Sequence, residues 1–316
     1  MKKLTIILLL ITSFAFGQEA IYNTNSKNLH LINYAYFQAP VSIKIDNSLD
    51  FYNKDEYTNS SNLFFSFKKI LHIATPAINI KYDYLNANNN LSSIDLILQR
   101  FHYINRFSMI YYSINLGYIN NNISYSNLDA RYSFEEYTND ENKFTVSSFN
   151  WGLSALFISK YAEFGFSTDH LNKPEIPNEN NEEIPIKYSA FIRGILYRKV
   201  HISKFVATLV YQYQDKYFFN NIDLDYYFNT LNYLGINFDY TLNDFNFGIG
   251  LKMLSNNKDI ISTQIGYLTN RLGFNYSISF MKDKNLNNTA IFNQIGIYYS
   301  FPVRKRMGRT MFCPSF

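Results

Sequence analysis

The chain of 316 residues holds one cysteine, Cys313, the fourth residue from its end. A lone thiol excludes an intramolecular disulfide framework, the usual support of a small exported domain. Charge is sparse as well: Asp, Glu, Lys and Arg make up 17% of residues, and the net formal charge is only +4. The excess is not clustered as a nucleic-acid surface requires, so no nucleic-acid partner is expected. Long apolar runs are missing. The run Leu4 to Ile11 falls short of the roughly 18 to 20 residues a transmembrane helix needs, and no later run approaches that length. Patterns of chemistry are missing too. The five histidines, His30, His72, His102, His170 and His201, stand singly, with no pair at metal-ligand spacing. There is no Gly-x-Ser-x-Gly elbow, phosphate loop or dinucleotide fingerprint. Glu135-Glu136 and Glu182-Glu183 sit in Asn-rich stretches, where a solvated turn outweighs an acid/base pair. No catalytic residue, cofactor or metal site is therefore expected. A barrel lipase would need a Ser and a His brought together on adjacent strands, and nothing in the sequence points to that.

What is abundant is aromatic. Phe 29, Tyr 28 and Trp 1 make 18% of the chain. So many rings beside so much polar sequence suit an apolar belt outside and a polar lumen inside better than a dry core. Lys2-Lys3, the short apolar run and the small-residue exit Ala15-Phe16-Gly17 read as a secretory signal peptide, with cleavage expected near Gly17. The remainder has the length of one large barrel or two modest soluble domains.

Periodicity favours the barrel. In Arg271 to Phe280, Leu272, Phe274, Tyr276, Ile278 and Phe280 fall on one face, and Arg271, Gly273, Asn275, Ser277 and Ser279 on the other. A single alternating strand also suits a soluble sandwich; recurrence along the chain decides. Ile78, Ile80, Tyr82 and Tyr84 oppose Asn79, Lys81 and Asp83. Ile110 to Tyr118, Trp151 to Phe157, Leu234 to Thr241 and Phe245 to Lys252 repeat the pattern. Asn-rich stretches such as Asn86 to Asn90 and Asn285 to Asn288 separate the runs. The tight turn at Leu268 to Arg271 contrasts with long polar connections at Asn121 to Thr145 and Asn172 to Glu183, as outer-membrane barrels require.

The fold expected is all-β: a transmembrane antiparallel up-and-down barrel of outer-membrane type, with roughly fourteen strands. Its parts are a signal peptide at 1–17, an N-terminal segment at 18–61, the barrel at 62–301 and a basic periplasmic tail at 302–316. Within the N-terminal segment, Ile21 to Pro40 reads either as a plug folded into the lumen or, over Leu29 to Phe37, as a first strand. The last run, Ile291 to Phe301, closes on an aromatic residue before Pro302 stops the ladder. Arg304, Lys305, Arg306 and Arg309 follow, suited to lipid headgroups or to a docked partner.

One segment is less generic: Gly165-Phe166-Ser167-Thr168-Asp169-His170-Leu171-Asn172-Lys173-Pro174. It leaves a strand through His-Leu and breaks at Pro. In this it resembles the PorP/SprF outer-membrane proteins of the type IX secretion system, matched at Gly165, Ser167, His170, Leu171 and Pro174. Tyr233-Leu234-Gly235-Ile236, Ile265-Gly266-Tyr267, the closing strand Asn293 to Phe301 and the ending Cys313-Pro314-Ser315-Phe316 are similar to later motifs of that family. Two departures mark a divergent member. Leu31-Ile32-Asn33-Tyr34-Ala35-Tyr36 stands where the family has Asn-Pro-Ala, and Asn293-Gln294 stands where it has His-Glu.

The resemblance implies a Gram-negative outer-membrane barrel of the secretion and gliding machinery, without enzymatic activity, that anchors or helps export a secreted surface protein. The partners it implies are membrane lipid, a client's C-terminal domain and periplasmic machinery subunits. His170, Pro174 and Cys313 are the candidate residues, for partner contact or for holding a loop. The alternative is a porin or hydrophobic-solute transporter.

Overall fold

A computed structural model describes residues 29–36, 42–53, 56–67, 74–86, 89–124, 143–175, 183–199, 203–215, 231–254, 258–269, 271–283 and 289–301. The signal peptide, the basic tail and Cys313 fall outside the described residues. The first seven strands are β1 (Ser42–Asn53), β2 (Glu56–Ser66), β3 (Thr75–Asn86), β4 (Asn89–Asn105), β5 (Ser108–Ser124), β6 (Lys143–Ile158) and β7 (Ala162–Asp169). The next seven are β8 (Lys187–Lys199), β9 (Ser203–Gln214), β10 (Leu231–Leu242), β11 (Phe245–Leu254), β12 (Lys258–Leu268), β13 (Leu272–Asp283) and β14 (Thr289–Ser300). Each strand pairs antiparallel with the next in sequence, and β14 pairs with β1, so the fourteen close into an up-and-down barrel. Closure leaves no edge of the ring unpaired in lipid, which a membrane-spanning sheet demands.

The two faces sort as the periodicity predicts. Outward residues such as Ile94 (58% exposed) and Ile249 (63%) carry the apolar belt, while inward Asp95 and Asp239 are each only 1% exposed. On β13, Leu272, Phe274 and Phe280 face out, and Ser277 and Ser279 are buried on the lumen side. Glycine makes that inner layer possible. Asp95 lies across Gly117, its register partner, and Asn237 across Gly250; a Cβ at either glycine would collide with the side-chain oxygen above it. Polar side chains thus lie flat along the wall.

The wall begins at Ser42, within the stretch 18–61 and upstream of residue 62. β1 and the first half of β2 escape the period-two pattern because Asn47, Asn59 and Ser61 interrupt their outward sets. Leu29–Leu31 is a 3-10 turn and no strand; Leu29 to Tyr36 lies inside the barrel, buried against lumen-facing side chains.

The two ends differ. Connections at the end holding Ser42 and Ser300 are mostly brief, as between Asn105 and Ser108 or Leu242 and Phe245, which marks the periplasmic side. At the outer end the long connections follow β5, β7 and β9, all over one sector, whereas β1 to β2, β3 to β4 and β11 to β12 join closely.

Candidate functional site

Two arrangements stand out. The first is the lumenal segment. Asn33 enters the wall with its side chain: its amide donates to the carbonyls of Ala155 and Phe166, both at 3.1 Å, bridging β6 and β7. Its Oδ1 accepts from the Ala35 amide at 2.9 Å, which fixes the turn. Gln99 donates to the Ala35 carbonyl, and Ser167 donates to the Ile32 carbonyl. His30 Nε2 lies 3.1 Å from Asp46 Oδ2, and Lys81 donates to the Tyr34 hydroxyl. Burial pushes the Tyr34 phenol well above its ordinary range, with Lys81 opposing, so it stays neutral and accepts that bond. Arg193 binds both oxygens of Glu163, at 2.8 and 2.9 Å, and donates to the Tyr36 hydroxyl at 2.7 Å. The contacts reach β1, β3, β4, β6, β7 and β8, and the apolar faces of Leu29, Ile32 and Tyr36 pack on Met109, Leu156, Phe191 and Val210. A short, largely apolar peptide with a few polar anchors thereby fills part of the lumen without strand pairing.

The second arrangement is the corner at His170. β7 stops after eight residues, whereas β6 runs for sixteen. Only Leu153 to Ile158 of β6 pair with β7. The chain bends inward over Gly152, where a Cβ would collide with the Thr168 carbonyl and with the side-chain oxygens of Asn115 and Asp169. His170 takes a left-handed conformation (φ 59°), and Lys173 another (φ 46°). The His170 ring is buried, its Nδ1 3.0 Å from Asn150 Oδ1. Leu171 N–H donates to the Trp151 carbonyl at 3.0 Å. The Asn172 carboxamide accepts from Trp151 N–H at 3.2 Å and donates to the Phe149 carbonyl at 2.5 Å, occupying the place of a neighbouring peptide unit. Pro174 is buried, and its carbonyl accepts from Ile184 N–H at 2.8 Å. Beyond Phe149, no described strand pairs with the side of β6 that β7 vacates. Thr145 and Ser147 point their backbone groups that way, in phase with Phe149 and Trp151.

Residues 98–299 match the family model of type IX secretion system membrane protein PorP/SprF. The chain belongs to the PorP/SprF family. It is thus an outer-membrane barrel of the type IX secretion system, in a family and fold of membrane secretion or transport barrels. No curated protein matches the chain. Among solved structures, it is similar to the CymD monoaromatic hydrocarbon channel at 10% identity and TM-score 0.54, covering 89% of this chain and 94% of that one. It is also similar to the Ralstonia pickettii toluene transporter TbuX, at 7% identity and TM-score 0.51, over 85% and 91% of the two chains. At such identities the likeness is one of fold.

His170 and Pro174 both sit at the β7 corner of this PorP/SprF chain, with side chains turned in. The lumenal contacts of Asn33, Tyr34, Tyr36, Glu163 and Arg193 were not legible as a site. Glu163 and Arg193 fall on the polar side of alternating strands, which signals an inward position and names no partner. Asn33 and Ala35 lie where the chain departs from the family's Asn-Pro-Ala. The two residues still make the decisive bonds. Among the described residues no group of three His, Cys, Asp or Glu is placed to hold a metal ion.

Proposed function

We propose that this barrel anchors, or helps to export, a secreted surface protein, with its lumen partly filled and the client held at the outer end. The observation that carries this reading is the occupied lumen. Leu29 to Tyr36 is bonded to six strands, which suits a static fitting better than a conduit. The inner wall is mixed and offers no continuous apolar conduit among the described residues: Asp46, Asn62, Asp95, Gln99 and Arg193 stand there beside Phe64, Ile97, Phe191 and Val210. The client-facing surface is the outer part of β6, whose backbone groups at Thr145 and Ser147 are regularly spaced for an added extended chain. Lipid supplies no such bonds, but this part of β6 has left the belt: Tyr118 and Phe149 are the last outward aromatic pair, and Ser147 beyond them is polar and exposed.

The test is a photo-crosslinking residue at Ser147, in cells that export surface proteins. The reading expects a crosslink to the C-terminal region of an exported protein, weakened at least tenfold when Thr145→Pro is added, which removes an amide directed away from β5 and leaves the β5 ladder intact. A crosslink only to residues 216–230 of the same chain, or none at all, refutes the assigned surface. Periplasmic machinery subunits are the other partners proposed, reached from the opposite end.

A further inference from the structure

The outward belt is apolar around most of the barrel; among the described residues single polar side chains such as Thr263 on β12 interrupt it, and at one place several stand together. At the seam where β14 meets β1, Asn47, Asn59, Ser61 and Asn293 all face outward: Asn47 is the register partner of Ser61, and Leu49 is the register partner of both Asn59 and Asn293. The patch is not at a rim. Ile45, Leu63 and Ile297 lie beside it toward the periplasm, Ile291 and Phe280 toward the outside, and Leu49 sits between Asn59 and Asn293. At the corresponding level β10 carries Ile236 and Phe238, and β11 carries Phe247 and Ile249.

The patch is only partly satisfied within the chain. Asn47 uses its amide hydrogens on Asn59 Oδ1 (2.7 Å), Ser61 Oγ (3.0 Å) and the Ser60 carbonyl (3.3 Å). The Tyr276 hydroxyl donates to Asn293 Oδ1 at 2.8 Å. Asn47 Oδ1 and the amide hydrogens of Asn59 and Asn293 have no partner among the described residues. Hydrocarbon offers none, so polar groups at this depth call for another polypeptide.

We propose that the β13–β14–β1–β2 face is a membrane-embedded interface with a second copy of this chain. The chemistry is self-complementary: the patch is uncharged and presents free acceptors beside free donors, as a surface meeting itself across a two-fold axis must. Two barrels inserted the same way share an axis along the membrane normal, so the patch on one meets the patch on the other at equal depth. Four strands at about 4.8 Å spacing, over a belt of roughly 25 Å, give about 500 Å² per copy, near the lower bound of a specific interface. At the outer end β1 joins β2 and β13 joins β14 through short connections, whereas the long ones link β5 to β6, β7 to β8 and β9 to β10.

The test is disulfide trapping in native outer membranes with Cys313→Ser as background, so that each variant carries one thiol. Leu49→Cys is expected to give a product of doubled mass on mild oxidation, and Ile192→Cys, on the outward face of β8, is expected to give none. Replacing Asn47, Asn59 and Asn293 by leucine in the Leu49→Cys protein is expected to abolish the doubled band, with heat-modifiable migration showing that the barrel still folds. A monomer at Leu49→Cys, an adduct of any other mass, or a doubled band that survives the leucine replacements overturns the proposal.

Discussion

At the scale of single residues, the barrel depends on which side chains are absent as much as on which are present. Gly152 is the clearest case, because Thr168, Asn115 and Asp169 press on the place where its Cβ would stand. Gly152→Ala is expected to destabilise the folded barrel by about 1–3 kcal/mol, measured by urea unfolding in lipid vesicles, since the β7 corner must shift. Gly194, with nothing within 4 Å of its missing Cβ, serves as the control: Gly194→Ala is expected to fall within about 0.5 kcal/mol of the parent. Arg193 and Glu163 make the complementary case. Both side chains are nearly inaccessible, and their contact is 2.8 Å. Arg193→Met strands a buried carboxylate and is expected to cost about 3–5 kcal/mol, whereas the double variant with Glu163→Leu recovers most of it in the same unfolding assay.

At the scale of elements, alternation was legible wherever one face was uniformly apolar, as in β11 and β13. It fails in β1, where Asn47 sits in the outward set, so periodicity alone places the start of the wall at residue 62 and not at Ser42. The interruption that hid the strand is the same polar patch that distinguishes the seam. The segment Leu29 to Tyr36 was ambiguous for another reason. Its tyrosines, Leu29 and Ile32 carry enough apolar surface for a strand, and only the lumen residues that receive them, far away in sequence, settle their place. That segment makes a prediction of its own. Removing residues 29–36 takes away every contact of Asn33, Tyr34 and Tyr36 and is expected to raise single-channel conductance in planar bilayers above a near-silent parent. Equal conductance of the two proteins would show that the lumen is closed by something else. His170 and Pro174 were singled out by a resemblance and not by any periodicity. Sequence could not disclose that Asn172, between them, completes hydrogen bonds on Phe149 and Trp151.

At the scale of the whole molecule, the barrel has two unlike ends and two unlike sides. The long outer connections and the part of β6 that no described strand pairs on its β7 side belong to one sector, and the polar seam with its close outer joins occupies another. The proposed client falls on the first sector and the proposed second copy on the other. The fold class was readable because lipid on one side and a wet lumen on the other impose a strict period over more than two hundred residues. The proposed client surface was not readable, since it consists of backbone groups beyond the point where β7 ends. The central claim is that the barrel holds an exported protein at the cell surface, and the most direct measurement is protease shaving of intact cells with and without this chain. The account predicts loss of one or a few exported proteins from the shaved peptides, restored by re-expression. A surface proteome unchanged by the deletion would contradict it.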